Sequence, residues 1–129
     1  MNGKVIDLDV LRPKPQVVKL AGKEIDVSFI PCGITFDVDR LTNELAKYTV
    51  SQLEAGGKEA KKAFDLSVEL CSVFCTVKYP EMTEEWFRAN VDPLQVQAFA
   101  EILQSTLARS YEGAERYSKN LEAAEVTVK

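Results

Sequence analysis

Apolar residues recur at helical spacing through the stretch Gly57 to Pro80, GKEAKKAFDLSVELCSVFCTVKYP, in a stripe made of Ala60, Ala63, Phe64, Leu70, Cys71, Phe74 and Val77. Leu66, Val68, Val73 and Cys75 widen that stripe until the second half is apolar nearly all round. A helix greasy on so many sides must be covered on most of its circumference, which makes this the central core helix. It should begin near Gly57 and stop before Pro80, which cannot continue it and biases Tyr79 away from helical angles. Charged and polar residues interrupt the run too often for a membrane span.

A different period governs Val17 to Ile30. Val18 and Leu20 share one face of a first strand, and Ile25, Val27 and Phe29 share one face of a second, with Glu24, Asp26 and Ser28 opposite. Ala21-Gly22-Lys23 supplies the turn of a hairpin, whose apolar face must lie on the helices because two strands alone are marginal. Pro31-Cys32-Gly33 ends the second strand. Thr35 or Asp37 is then expected to cap a helix with the stripe Val38, Leu41, Leu45 and Tyr48, extending toward Leu53 before Gly56-Gly57 breaks the chain.

Two start signals follow Pro80. Thr83 is expected to cap a short helix, with Glu84 and Glu85 at its positive end and Met82 stapled to Phe87. Asp92 is expected to cap the last helix, with Pro93 in its first position, Gln95 closing a capping box and Val91 stapled to Val96. That helix carries the stripe Val96, Phe99, Leu103, Leu107, Tyr111 and Ala114 and is expected to run to about Lys119. At 1.5 Å per residue it would be roughly 40 Å long, so its C-terminal third should project or pack on something else. The expected fold is α+β and predominantly α-helical, an N-terminal antiparallel β-hairpin packed on a small helical bundle. Residues 1–16 are expected as an extended arm, 17–119 as one domain and 120–129 as a mobile tail.

The arm places Val5, Ile6, Leu8, Val10 and Leu11 around Asp7 and Asp9, ahead of the stiff spacer Arg12-Pro13-Lys14-Pro15. It reads either as a frayed terminus or as an apolar arm that adds a strand to a neighbour. Its acidic residues and short apolar runs do not make a secretory signal, so the cytoplasm is the expected compartment, and three cysteines without a regular framework agree.

Composition narrows the function. The 129 residues are 46% hydrophobic and 28% charged, which fits one globular domain. A net charge of −4 disfavours a nucleic-acid partner, and Lys58, Lys61 and Lys62 read best as a solvated helix face. Histidine is absent, which removes the usual general base, the commonest metal ligand and every Ser–His or Cys–His nucleophile. Cys71 and Cys75 share a helix face, but only Cys32 remains to complete a thiolate site, so both read as small buried hydrophobes. The acidic pairs Asp37 with Asp39 and Glu84 with Glu85 stand at helix starts, where negative charge is favoured without any catalytic role. No phosphate loop, nucleophile elbow or calcium loop is present, and the expectation is a protein that is not an enzyme and needs no cofactor or metal.

Tyr79-Pro80-Glu81-Met82-Thr83-Glu84-Glu85-Trp86, preceded by a strand–turn–strand and helices and followed by a short helix and a long one, resembles the tail assembly chaperones of long-tailed (siphovirus-like) phages and prophages. In that family a strand–turn–strand, here Val17 to Ile30, precedes an all-helical body, and a proline–acidic–x–Thr–x–Glu–aromatic stretch, here Pro80 to Trp86, introduces the penultimate helix. The resemblance spans about Gln16 to Tyr111 and leaves out the arm and the tail. It implies a non-enzymatic factor that binds the tape measure protein, keeps it soluble and helps recruit tail-tube subunits. Such a factor acts in the host cytoplasm as a homo-oligomer, away from membranes and nucleic acid, and is not expected in the mature virion.

The residues expected to carry partner binding or self-association are Val5, Leu8 and Val10 on the arm, Trp86 and Phe87 in the short helix, and Tyr111 and Tyr117 on the projecting end of the last helix. For each of the two rings, Trp86 and Phe87, core packing is the better reading and partner contact the alternative. The alternative function is a structural tail component, a connector or tube-end protein, retained in the particle.

Overall fold

The computed structural model describes residues 3–112 and 125–128. In chain order it runs through β1 (Gly3–Ile6), a 3-10 turn (Leu8–Leu11), β2 (Val17–Leu20), β3 (Lys23–Asp26) and a second 3-10 turn (Cys32–Ile34). Five helices follow, α1 (Thr35–Leu45), α2 (Val50–Ala55), α3 (Gly57–Cys75), α4 (Glu84–Asn90) and α5 (Pro93–Glu112), and β4 (Glu125–Val128) closes the order. The architecture is α+β and predominantly helical, as the hydrophobic pattern predicts.

Helix α3 is the hub, packed against α1, α2, α4 and α5. Its Val68, Leu70, Cys71, Phe74 and Cys75 are buried in one cluster with Leu41, Met82, Phe87, Phe99 and Leu103. The Phe74 and Phe99 rings meet edge to face at 6.2 Å between centroids, the geometry that their quadrupoles favour. The helix closes at Cys75 with the Thr76 hydroxyl donating to the Ser72 carbonyl at 2.8 Å, and the Tyr79 amide reaching back to the Cys75 carbonyl at 2.9 Å. Val77 therefore leaves the stripe it was assigned to and stands 55% exposed.

The hairpin pairs Val18 with Ile25 and Leu20 with Lys23 across an antiparallel ladder. Its turn is Ala21-Gly22, both at positive φ (49° and 78°), the primed geometry whose twist matches that of the strands. Leu20, Ile25 and Val27 enter the core. The second strand ends at Asp26, short of the expected Ile30: the Val27 amide still donates across to the Gln16 carbonyl at 2.8 Å, and the Asp26 carboxylate, accepting from the Ser28 amide at 2.9 Å and the Ser28 hydroxyl at 2.6 Å, then turns the backbone off the ladder. Those bonds hold the Asp26 carboxyl below the usual carboxylate range. The associated stability is present at neutral pH and is lost as the pH falls below about 4.

Long-range polar contacts seat the hairpin. The Thr106 hydroxyl on α5 donates to the Val27 carbonyl at 2.8 Å in a buried contact. The Tyr79 hydroxyl donates to the Glu24 carbonyl at 3.0 Å, and Lys23 pairs with Glu81 at 2.7 Å.

The two helix starts after Pro80 form as predicted. The Thr83 hydroxyl accepts from the Trp86 amide at 3.2 Å. Asp92 accepts from the Leu94 amide at 2.7 Å while Gln95 accepts from the Asp92 amide at 2.9 Å. Neither Thr35 nor Asp37 caps α1, whose N-cap position is Ile34 with no side-chain bond. The 3-10 turn runs straight into this helix and supplies the first carbonyls, so no side-chain cap is required, and the Thr35 hydroxyl instead donates to the Pro31 carbonyl at 3.2 Å. The expected extension toward Leu53 is a separate helix, α2. It starts at a capping box in which the Gln52 amide donates to the Thr49 hydroxyl at 3.2 Å and the Thr49 amide to Gln52 Oε1 at 2.8 Å.

Of the arm, Leu8–Leu11 form a 3-10 turn capped by Asp7, and the Arg12 guanidinium lies 4.5 Å above the Phe29 ring. Gly3–Ile6 pair antiparallel with Glu125–Val128, Val5 opposite Val126, in a two-stranded sheet of their own. Part of the segment expected as a mobile tail is thus a strand. Residues 113–124 and 129 lie outside the described residues, so the expected course of the last helix from Gly113 to Lys119 falls there too.

Candidate functional site

Between α3 and α5 the surface opens into a groove of about 700 Å³. Its floor is made of small side chains, Ala60 and Ala63 from α3 and Ala100 from α5, which keep the two helices' outer edges low. Phe64, Leu45 and Leu94 supply larger apolar walls, and Glu54, Glu101, Gln97 and Gln104 supply polar ones. Gly56 at φ 72° and Gly57 at φ 77° turn the chain sharply between α2 and α3, a backbone shape that a β-carbon would strain. That turn brings Glu54 of α2 to the edge of the groove.

Leu94 is the most exposed aliphatic side chain described, at 72%. Its position was legible: two residues before Val96 on a helix of 3.6 residues per turn is the face opposite the buried stripe. Phe36, at the start of α1, is 88% exposed and was likewise not singled out from the sequence.

The expected contact residues fall on separate elements. Val5, Leu8 and Val10 are exposed on β1 and the 3-10 turn after it, beside the equally exposed Ile6. Trp86 and Phe87 sit on α4, ring centroids 5.2 Å apart and nearly perpendicular. Trp86 is half-buried, whereas Phe87 is fully buried and faces the core, where it presents no surface to a partner. The Tyr111 side chain and all of Tyr117 lie outside the described residues.

Chemistry in the core is muted. Burial pushes the Cys75 thiol up to about 12, and burial, with the Cys75 thiol beside it, pushes Cys71 higher still. The Cys71 thiol donates to the Val96 carbonyl at 3.7 Å. Cys32 is exposed. A thiol-exchange reagent at pH 8 is therefore expected to titrate Cys32 rapidly and to reach Cys71 and Cys75 only on unfolding in denaturant, because the thiolate is the reacting form. Rapid modification of all three in the folded protein would contradict this placement.

Among the described residues no three His, Cys, Asp or Glu side chains converge as a metal site requires, and no helix is long and apolar enough to cross a membrane. Neither protein-family models, curated proteins nor solved structures give a match to this chain.

Proposed function

We propose that this chain is a non-enzymatic tail assembly chaperone of a long-tailed phage or prophage, one that binds the tape measure protein, keeps it soluble and helps recruit tail-tube subunits. The observation that carries this reading is the apolar groove between α3 and α5, open to solvent and flanked by the exposed Leu94. A concave apolar trough suits the stripe of an amphipathic helix. A tape measure protein, long and rich in such helices, offers many of them. The order hairpin, helices, Pro80–Trp86 segment and final long helix supports the same reading.

The mechanism is coverage by many copies. Each groove hides one short stretch of apolar stripe, and repeated copies along one chain add avidity without tight single contacts. The net charge of −4 keeps the loaded complex dispersed. Exposed Val5, Leu8 and Val10 on the arm provide self-association between neighbouring copies. Modest affinity per copy allows displacement as tube subunits polymerise, so the chaperone stays in the host cytoplasm and leaves the finished particle without it.

Co-expression tests this directly. Co-expressed with the tape measure protein that this reading assigns to it as partner, this chain should move that protein from the insoluble to the soluble fraction and co-purify with it. Unchanged solubility of the long partner would overturn the proposal.

A further inference from the structure

We propose that the groove between α3 and α5 selects amphipathic helices whose apolar stripe is flanked by lysine or arginine. The inference rests on the chaperone reading and specifies which segments of the partner are held. Among the described residues, the only charged side chains lining the groove are Glu54, from α2, and Glu101, from α5. Neither carboxylate is engaged in an ion pair with another described residue. An apolar trough with two uncompensated acids at its edge has a chemical preference. It rewards an occupant that places cations beside its apolar stripe and penalises one that places carboxylates there.

Shape points to a helix. On α5 the lining extends from Pro93 to Gln104, which at 1.5 Å per residue is roughly 16 Å, or about three turns of a bound helix. The alanines Ala60, Ala63 and Ala100 leave room for large side chains on the incoming face, and Leu94 packs over its edge. The same charges argue against a second copy's arm as the occupant, because its Val5, Leu8 and Val10 are interleaved with Asp7 and Asp9.

The experiment uses the full chain and two labelled synthetic helical peptides of about four turns. Both carry one leucine stripe, flanked in one by lysine and in the other by glutamate, and fluorescence anisotropy reads binding. The lysine-flanked peptide is expected to bind at least about tenfold tighter than the glutamate-flanked one. A Glu54→Gln/Glu101→Gln variant should weaken the lysine peptide by about fivefold and flatten its salt dependence. Leu94→Ser, at an exposed position that the fold does not use, should weaken it by about tenfold with an unchanged unfolding midpoint.

Equal binding of the two peptides, or a glutamine variant indistinguishable from the parent, would overturn the inference. So would a sedimentation result in which Leu94→Ser dissociates a dimer, since the groove would then be a contact between copies. If the lysine peptide fails to bind while co-expression still solubilises the long partner, the groove's selectivity falls and the chaperone reading stands. If the peptide binds as expected and the partner stays insoluble, the chaperone reading falls and the groove's preference stands.

Discussion

Replacing Phe87 by alanine is expected to lower folding stability by about 3–5 kcal/mol, the range for deleting a fully buried aromatic side chain. Phe87 is 0% exposed and belongs to the same cluster as Met82, Val68 and Leu70. Helix α4 has seven residues, too few to stand without tertiary support, so this ring holds it to α3. Around it the Thr83 cap and the Arg88 to Asp65 ion pair at 2.9 Å are smaller contributions. The ion pair is exposed and contributes about 0–1 kcal/mol. Against a total stability of about 5–15 kcal/mol, loss of the ring is a large fraction. Urea titration reads it as a midpoint lowered by about 1–3 M at unchanged slope. A parental midpoint in Phe87→Ala would mean that α4 is not docked through this side chain, and Phe87 would return as a candidate contact residue.

Thr106→Val should cost about 1–3 kcal/mol, and it should do so through a polar contact. The hydroxyl has one proton and two carbonyls within reach, Val27 at 2.8 Å and Ile102 at 3.0 Å. The shorter contact crosses from α5 to the end of the hairpin in a buried setting. Valine keeps the shape and removes the donor, leaving the Val27 carbonyl buried without that partner. Thr106→Ser keeps the hydroxyl and should recover most of the loss. Hydrogen exchange separates the two roles this residue could have. In Thr106→Val the amides of Val17–Asp26 should exchange faster by more than those of α3, because the hairpin is what the bond holds. Uniform acceleration across both would show that Thr106 acts only through global stability.

These two positions also mark where a linear reading succeeds and where it stops. Phe87 was within reach, because Met82, Thr83 and Glu85 surround it with local start signals that depend on neighbours a few residues away. The same is true of Asp92 with Gln95, of Val18 with Leu20 on the first strand's face, and of Ile25 on the second's. The Thr49–Gln52 capping box was equally local and could have been read from its spacing. On propensity alone Thr49, Val50 and Ser51 weaken a helix there, which hides the box.

Thr106 is different. Its partner is 79 residues away, and nothing in a helix stripe marks one polar residue as the donor to a distant carbonyl. The pairing of Gly3–Ile6 with Glu125–Val128 fails for the same reason: each strand is ordinary by itself, and their meeting is a property of the folded chain. The groove is legible only in part. Leu94 stands off the buried stripe, but that Ala60 and Ala63 of α3 line one trough with Ala100 of α5 is a property of the folded chain, which no single helix encodes.

The distance along the chain between Val27 and Thr106 has a consequence for synthesis. The hairpin is translated well before α5, whose Thr106 hydroxyl holds the Val27 carbonyl at the hairpin's end. At about 5–20 residues per second, 79 residues take roughly 4–16 s to translate. Through that interval the nascent chain carries an apolar strand pair without its α5 contact, a feature prone to sticking to other strands in a crowded polysome. Lys19 and Glu24, paired on the opposite face, put charge on each edge of that ribbon while it waits.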